Sequence, residues 1–404
     1  MDACGLIVEY NPFHNGHVYH IQEAKKVSKA DCMIAVMSGH FLQRGEPAII
    51  DKFHRAKAAL QNGVDIVVEL PYPFAVQSSH LFATGAVNIL HKIGVNSICF
   101  GSESGDISNF LTAYEEFDNH MNTYQKTLKS YLNQGLSYPK ASMYAYESIG
   151  LTDGEMDLSQ PNNILGFSYV QAILENELPI TPLTIKRTKS NYHDEMINSS
   201  IASATSIRKH LITNQSITTE IAQAIPEETL LQLHTYKDKA TIWHSWEHYF
   251  PFISYRIRTM TREELRSIEG MEEGLENRII DAIKNATSFQ DLMERVKTKR
   301  YTWTRLQRTF VHILTYTTKQ KMRYMNQFTS HIPYVRLLGI TETGQQYLNR
   351  HKKEIQVPIV SQLSRSVHPM LELEETITHA YLSVLPPESR IKLHAQEIMP
   401  PQRV

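Results

Sequence analysis

Cysteine is scarce in this 404-residue chain: Cys4, Cys32 and Cys99 are odd in number, sit in apolar stretches and lack the paired spacing of a zinc site. A disulfide framework and a cysteine-zinc module are therefore excluded, and the three read as reduced core residues. Charge of one sign is not in excess either. With 41 Lys and Arg against 42 Asp and Glu, the net charge is -1, so a nucleic-acid partner has to be held by a local basic surface rather than by the field of the whole molecule. No run approaches the roughly 20 apolar residues that span a bilayer, and residues 1–10 lack a basic start followed by a long apolar run. A cytoplasmic protein without membrane contact is the expectation. Repeats, low-complexity tracts and Gly/Ser linkers are missing too, which predicts parts that pack together.

What is present is globular in type, 42% hydrophobic and 21% charged, and longer than one core usually organises. In the first hundred residues short β-branched runs alternate with amphipathic segments, the rhythm of a parallel sheet with crossover helices. Strands are expected at Ala3–Val8, Cys32–Met37, Asp65–Glu69 and Ser97–Phe100, helices at His17–Ser28, Asp51–Asn62 and Ser78–Ile93. Residues 107–178 read as mainly helical, Leu183–Lys186 as a fifth strand, and Ser206–Leu211 as the opening of another helix. Beyond Asn214 helical patterns such as Arg262–Arg266, Glu276–Ile283 and Arg305–Thr315 dominate. The fold class is thus α/β: a Rossmann-like parallel sheet over residues 1–214, followed by a mainly α-helical part over 215–404.

The strongest local signal is Gly5-Leu6-Ile7-Val8-Glu9-Tyr10-Asn11-Pro12-Phe13-His14-Asn15-Gly16-His17, followed by Val18, Tyr19 and His20, in which a buried-type strand runs through a proline turn into a helix. Two imidazoles three apart, with Gly16 admitting close backbone approach, can donate to phosphate oxygens where a helix N-terminus already favours an anion. That points to an ATP site and to phosphoryl-type chemistry run by positioning and electrostatics, with no protein nucleophile. The plainer alternative is a turn histidine and a helix-start histidine. A resident metal is not expected, since no third ligand has suitable spacing. Mg²⁺ would arrive with ATP.

A second string, Ser38-Gly39-His40-Phe41-Leu42-Gln43-Arg44-Gly45-Glu46-Pro47, follows the second strand, and Lys52 and Arg55 come soon after it. Ligands collect beyond the carboxyl ends of strands in open parallel sheets, so Arg44, Lys52 and Arg55 are candidates to face phosphate or carboxylate, with a solvated turn and a basic helix face as the alternative. Gly101 closes the fourth strand where an adenine or ribose can lie against backbone. Asn162 stands at a helix start, as ligand contact or as N-cap. Arg187 ends the fifth strand. Ser203-Ala204-Thr205-Ser206-Ile207-Arg208 places Ser203, Thr205 and Arg208 at another helix start, for phosphates or simply as a cap.

These strings carry a resemblance. His14-Asn15-Gly16-His17 looks like the HxGH motif of the nucleotidylyltransferase superfamily, and Ser203–Arg208 is similar to its distal S-S-T-x-I-R element, with Ala204 replacing a serine. Val8–His17, Met37–Pro47 and Pro161–Gly166 together resemble the bacterial tRNA(Met) cytidine acetate ligase family, nearly end to end. The resemblance implies that ATP converts acetate to acetyl-adenylate and that the acetyl group passes to N4 of the wobble cytidine of elongator tRNA(Met), giving N4-acetylcytidine, AMP and pyrophosphate. It implies ATP contacts along Ile7–His20 and at Gly101, Asn162 and Arg187, with His14 and His17 doing the phosphate work. No obligate protein partner is implied.

Between Val296 and Arg323 the chain carries Lys297, Lys299, Arg300, Arg305, Arg308, Lys319, Lys321 and Arg323 without one Asp or Glu, and Tyr301, Trp303 and Tyr316 are interleaved. Cations can track phosphates while aromatics stack unpaired bases. Lys297, Lys299, Arg300, Arg305 and Arg308 are therefore candidates to bind RNA, which the resemblance implies is tRNA, the alternative being a solvated helix face. Two rival functions remain: a nucleotidyltransferase that adenylates a cofactor precursor, and a nucleotide-regulated RNA-binding protein without catalysis.

Overall fold

The computed structural model describes residues 1–154, 156–187, 202–272, 274–363 and 368–404. Five parallel strands form its centre: β1 (Ala3–Val8), β2 (Cys32–Ser38), β3 (Ile66–Leu70), β4 (Ser97–Ser102) and β5 (Thr181–Lys186). They are ordered β5-β4-β1-β2-β3. All seven residues of β2 are buried, as expected for a central strand with helices on both faces. Its alternation divides the core: Cys32, Ile34 and Val36 join one apolar cluster, Met33, Ala35 and Met37 the other. The helix Asn15–Ser28 packs on one side against β4 and β5, and the helix Ser79–Lys92 against β1, β2 and β3.

Because β1 has β2 on one flank and β4 on the other, the chain reverses its direction of winding there. The carboxyl ends of β1 and β4 thus open on the switch-point crevice where α/β sheets bind ligands.

The sheet does not end with the N-terminal half. β6 (Val335–Ile340) pairs antiparallel with β3, and β7 (Ile359–Val360) and β8 (Gln402–Arg403) pair with β6. The sequence reading contained none of these three strands. Otherwise the chain beyond Asn214 is helical, including Trp246–Thr259, Leu275–Ile283, Trp303–Leu314 and Pro369–Leu382. Cys4, Cys32 and Cys99 are buried free thiols, and among the described residues no helix is long and apolar enough to cross a membrane.

Candidate nucleotide site

The turn after β1 is shaped by Tyr10 at a φ of 49° and a cis Asn11–Pro12 bond. It delivers His14 to the N-cap of the helix Asn15–Ser28, two residues earlier than periodicity suggests. The imidazoles themselves close the helix end: His14 Nδ1 accepts from the Gly16 amide at 3.1 Å, and His17 Nδ1 accepts from the His14 amide at 3.2 Å. An aromatic base supports the pair, with the His14 and His17 rings stacked at 3.7 Å and the Tyr10 ring meeting His17 edge-on at 4.8 Å.

This arrangement decides the tautomer. An Nδ1 that accepts leaves the proton on Nε2, so each ring carries a donor on its far nitrogen. Burial, then the charges of Arg187 and Arg208, lower the His14 pKa to about 3. Burial and then His14 lower that of His17. Both are neutral N–H donors at pH 7. His20, one turn on, is likewise lowered by burial, then Arg187, to about 4.

Arg187 comes from the end of β5, its amide donating to the Ser102 carbonyl at 3.0 Å. A Cβ on Gly101 would stand 3.1 Å from the Arg187 side chain, so the glycine gives the arginine its room. The distal element arrives from the other side. Ser203 caps the helix Ala204–Asn214 by accepting from the Ser206 amide, and Thr205 Oγ1 lies 3.5 Å from Arg208 Nη2. Arg208 Nη1 donates to the Asn11 carbonyl at 2.9 Å and Nη2 to Glu46 at 2.8 Å. His14, His17, Gly101, Arg187 and Arg208 thus converge on the β1/β4 crevice from four separate stretches.

The remaining candidates meet different partners. Asn162 is not the N-cap: Gln160 is, and the Glu103 carboxylate takes its place as capping acceptor, receiving the amides of Asn162 and Asn163 and the Asn162 side chain at 2.6 Å. The adjoining cleft, about 410 Å³, is lined by Glu103, Asp106 and Asp157 with Lys186 the one cation among its lining residues, a charge balance that disfavours phosphates. Neither Lys52 nor Arg55 faces the crevice. Arg55, 1% exposed, gives its guanidinium to the carbonyls of Glu9, Gly39 and Ile50. Lys52, wholly buried, bonds Glu69 and Glu397, both at 2.8 Å. Arg44 is half-buried on the loop after β2; burial raises the carboxyl of Glu9, and Arg44 is among the charges that oppose the rise.

The basic segment also divides. Lys299 and Arg300 are exposed, and Lys297 Nζ donates to the neighbouring Thr298 carbonyl. Arg305 pairs with Glu272 at 2.6 Å and lies over the Tyr301 ring. Arg308 turns inward to the Gln43 and Gln77 carbonyls, and burial lowers its pKa to about 10. Its helix is pressed so closely on the 41–47 loop that a Cβ on Gly45, at a φ of 78°, would meet the Arg308 backbone nitrogen at 2.4 Å. Tyr301 is 6% exposed and offers no face for stacking, whereas Tyr316 is 40% exposed.

Sequence reasoning missed Glu46, Glu103 and Glu397. Glu46 stands in the Ser38–Pro47 string two residues after Arg44, and a carboxylate beside a candidate phosphate cation was the available signal; Glu103 offered only its nearness to Gly101. Glu397 had none.

The HIGH Nucleotidyl Transferase family model matches residues 1–397. A protein of Oceanobacillus iheyensis named tRNA(Met) cytidine acetate ligase is 55% identical over 401 residues, 99% of each chain. One of Bacillus subtilis with the same name is 46% identical over 400 residues, 98% of this chain and 96% of its own. Among solved structures, Thermotoga maritima TmcAL in its apo form superposes with a TM-score of 0.90 at 34% identity, covering both chains completely. The same protein bound with alpha-thio ATP gives 0.89 at 33%, again over both whole chains. The chain therefore belongs to the tRNA(Met) cytidine acetate ligase family of HIGH nucleotidyl transferases.

Proposed function

We propose that the chain is an ATP-dependent ligase that activates acetate and transfers its acetyl group to N4 of the wobble cytidine of elongator tRNA(Met). The observation that carries this reading is the convergence of His14, His17, Arg187 and Arg208 on the β1/β4 crevice, in a chain whose relatives of 46–55% identity bear the ligase name.

In the first step a carboxylate oxygen of acetate attacks the α-phosphorus of ATP, and pyrophosphate leaves. His14 and His17 present neutral Nε2–H donors from the helix N-terminus, and Arg187 supplies charge from β5. Donors fixed before the reaction stabilise the growing phosphoryl charge without reorganisation. Arg208 positions the turn through Asn11 as well as adding charge, and Arg44, Ser203 and Thr205 take the outer phosphates. Gly101 and Asn162 flank the nucleoside. Mg²⁺ carried by the triphosphate would neutralise part of its charge. In the second step the N4 amine attacks the acyl carbonyl of acetyl-adenylate, AMP leaves, and the amine releases one proton. An exocyclic amine is a poor nucleophile, which is why a mixed anhydride has to be formed first. Holding both reactants in one crevice supplies much of the acceleration.

Residues 1–214 carry the activation and residues 215–404 the tRNA, with Lys297, Lys299, Arg300 and Arg305 on the RNA side and the cytoplasm as the place of action. The test is mass spectrometry of nucleosides from elongator tRNA(Met) incubated with enzyme, ATP, Mg²⁺ and labelled acetate. Labelled N4-acetylcytidine is expected. ATP cleavage that proceeds with other acids while the tRNA stays unlabelled overturns the ligase reading and leaves a nucleotidyltransferase.

A further inference from the structure

Away from the crevice, one end of the helix Pro369–Leu382 faces the end of the helix Pro387–His394. Glu375 and His379 are one turn apart on the first helix and so share a face. His394 closes the second. The His379 and His394 rings stack at 4.4 Å with 15° between their planes, and one ligand atom from each of Glu375, His379 and His394 lies within 4.8 Å of the other two. His394 Nε2 is buried without a hydrogen-bond partner. A buried imidazole nitrogen left unpaired is costly, and a bound ion is one partner that would satisfy it.

We propose that Glu375, His379 and His394 form a binding site for a divalent transition-metal ion of the zinc class. Two imidazoles and one carboxylate suit Zn²⁺ and its neighbours, whereas Mg²⁺ and Ca²⁺ prefer oxygen alone. A tetrahedral ion with ligands at about 2.0–2.1 Å needs donors about 3.3 Å apart. Closing the present separation falls to Glu375 and His379, the two exposed members of the cluster.

The ion would clamp the two helices immediately before the short helix Ala395–Ile398. That helix carries Glu397, which accepts from Lys52 and from Thr378 at 2.7 Å. The clamp would therefore tie the chain's C-terminal segment to the buried ion network under the 38–50 loop.

The experiment is calorimetric titration of the metal-stripped full chain with Zn²⁺, without nucleotide, alongside the visible absorption of the Co²⁺ form. One saturable ion per chain is expected, together with Co²⁺ bands that vanish on adding Zn²⁺. Affinity should fall at least about tenfold in His379→Ala and His394→Ala. Glu375→Gln, a change at an exposed position, should weaken binding while leaving circular dichroism unchanged, which separates loss of a ligand from loss of fold. His120→Ala, at a surface histidine beside Glu116, should bind as the parent does. Absence of saturable binding, binding that survives all three site changes, or equal weakening in His120→Ala overturns the site.

Discussion

The carboxyl edge of the sheet presents the same residue types twice and uses them in opposite ways. At the ends of β1 and β4, His14 and His17 keep their Nε2 donors for the crevice, with Arg187 and Arg208 beside them. At the ends of β2 and β3, His40, Lys52, Glu69 and Arg336 are 3%, 0%, 2% and 2% exposed, and are covered by Glu374 and Glu397 from the C-terminal helices. Burial and then Glu69 push the Glu374 carboxyl up, and the nearby Lys52 is the leading charge that holds Glu397 down against its own burial. Lys52 and Arg336 are the cations placed among these carboxylates. The difference teaches that an edge becomes a site only where nothing from the rest of the chain covers it.

The largest expected effect lies on the covered side. Lys52→Ala leaves two carboxylates without their cation and should cost about 3–5 kcal/mol of stability in urea titration, while acetate-dependent pyrophosphate exchange per folded molecule changes little. A hundredfold fall in exchange with stability intact would return Lys52 to the phosphates. On the open side His14→Asn keeps a capping oxygen for the Gly16 amide but removes the outward donor. Exchange should drop by about 10²–10³ with folding unchanged; a drop below tenfold would reduce His14 to a helix cap.

That contrast also explains what was legible in the sequence. β1 matched its expected range, and β2, β3, β4 and β5 differed only at their ends, because short β-branched runs bounded by turn residues are too brief for a helix. The start of the helix after β1 was misplaced because imidazoles, not Ser or Asp, cap it. β6 escaped because Arg336 interrupts an otherwise apolar run, and its burial is tolerable only where the Glu397 carbonyl, 61 residues on, accepts its Nη2 at 2.8 Å. Lys52, Arg55 and Arg308 were read as outward cations for the same reason: a cation's direction is set by acceptors on elements that have no local trace in the sequence.

A smaller effect follows from His312, which is 3% exposed and lies 2.6 Å from the Tyr72 hydroxyl. Burial, then Arg308, lowers its pKa to about 3, against roughly 6.5 in the unfolded chain. Between those values the unfolded chain binds the proton and the folded one does not, so stability is complete above pH 6.5 and declines as pH falls towards 3. The slope assigned to this one group is at most about 1.4 kcal/mol per pH unit. His312→Gln, which keeps an acceptor for Tyr72, should flatten the stability–pH curve in that window. An unchanged slope would mean that the folded protein accommodates the imidazolium.

The smallest effect distinguishes the two halves of the basic segment. Lys299 and Arg300 are exposed, whereas Arg308 serves the protein's own carbonyls. Lys299→Ala with Arg300→Ala should lower the salt slope of tRNA binding by about one unit per lost phosphate contact and leave pyrophosphate exchange alone. Arg308→Ala should do the reverse: it frees the 41–47 loop, which holds Glu46 against Arg208, and so weakens ATP-dependent exchange before it alters tRNA affinity. If instead all three changes reduce the slope equally, Arg308 swings outward when RNA arrives, and the boundary between covered and open surface moves on binding.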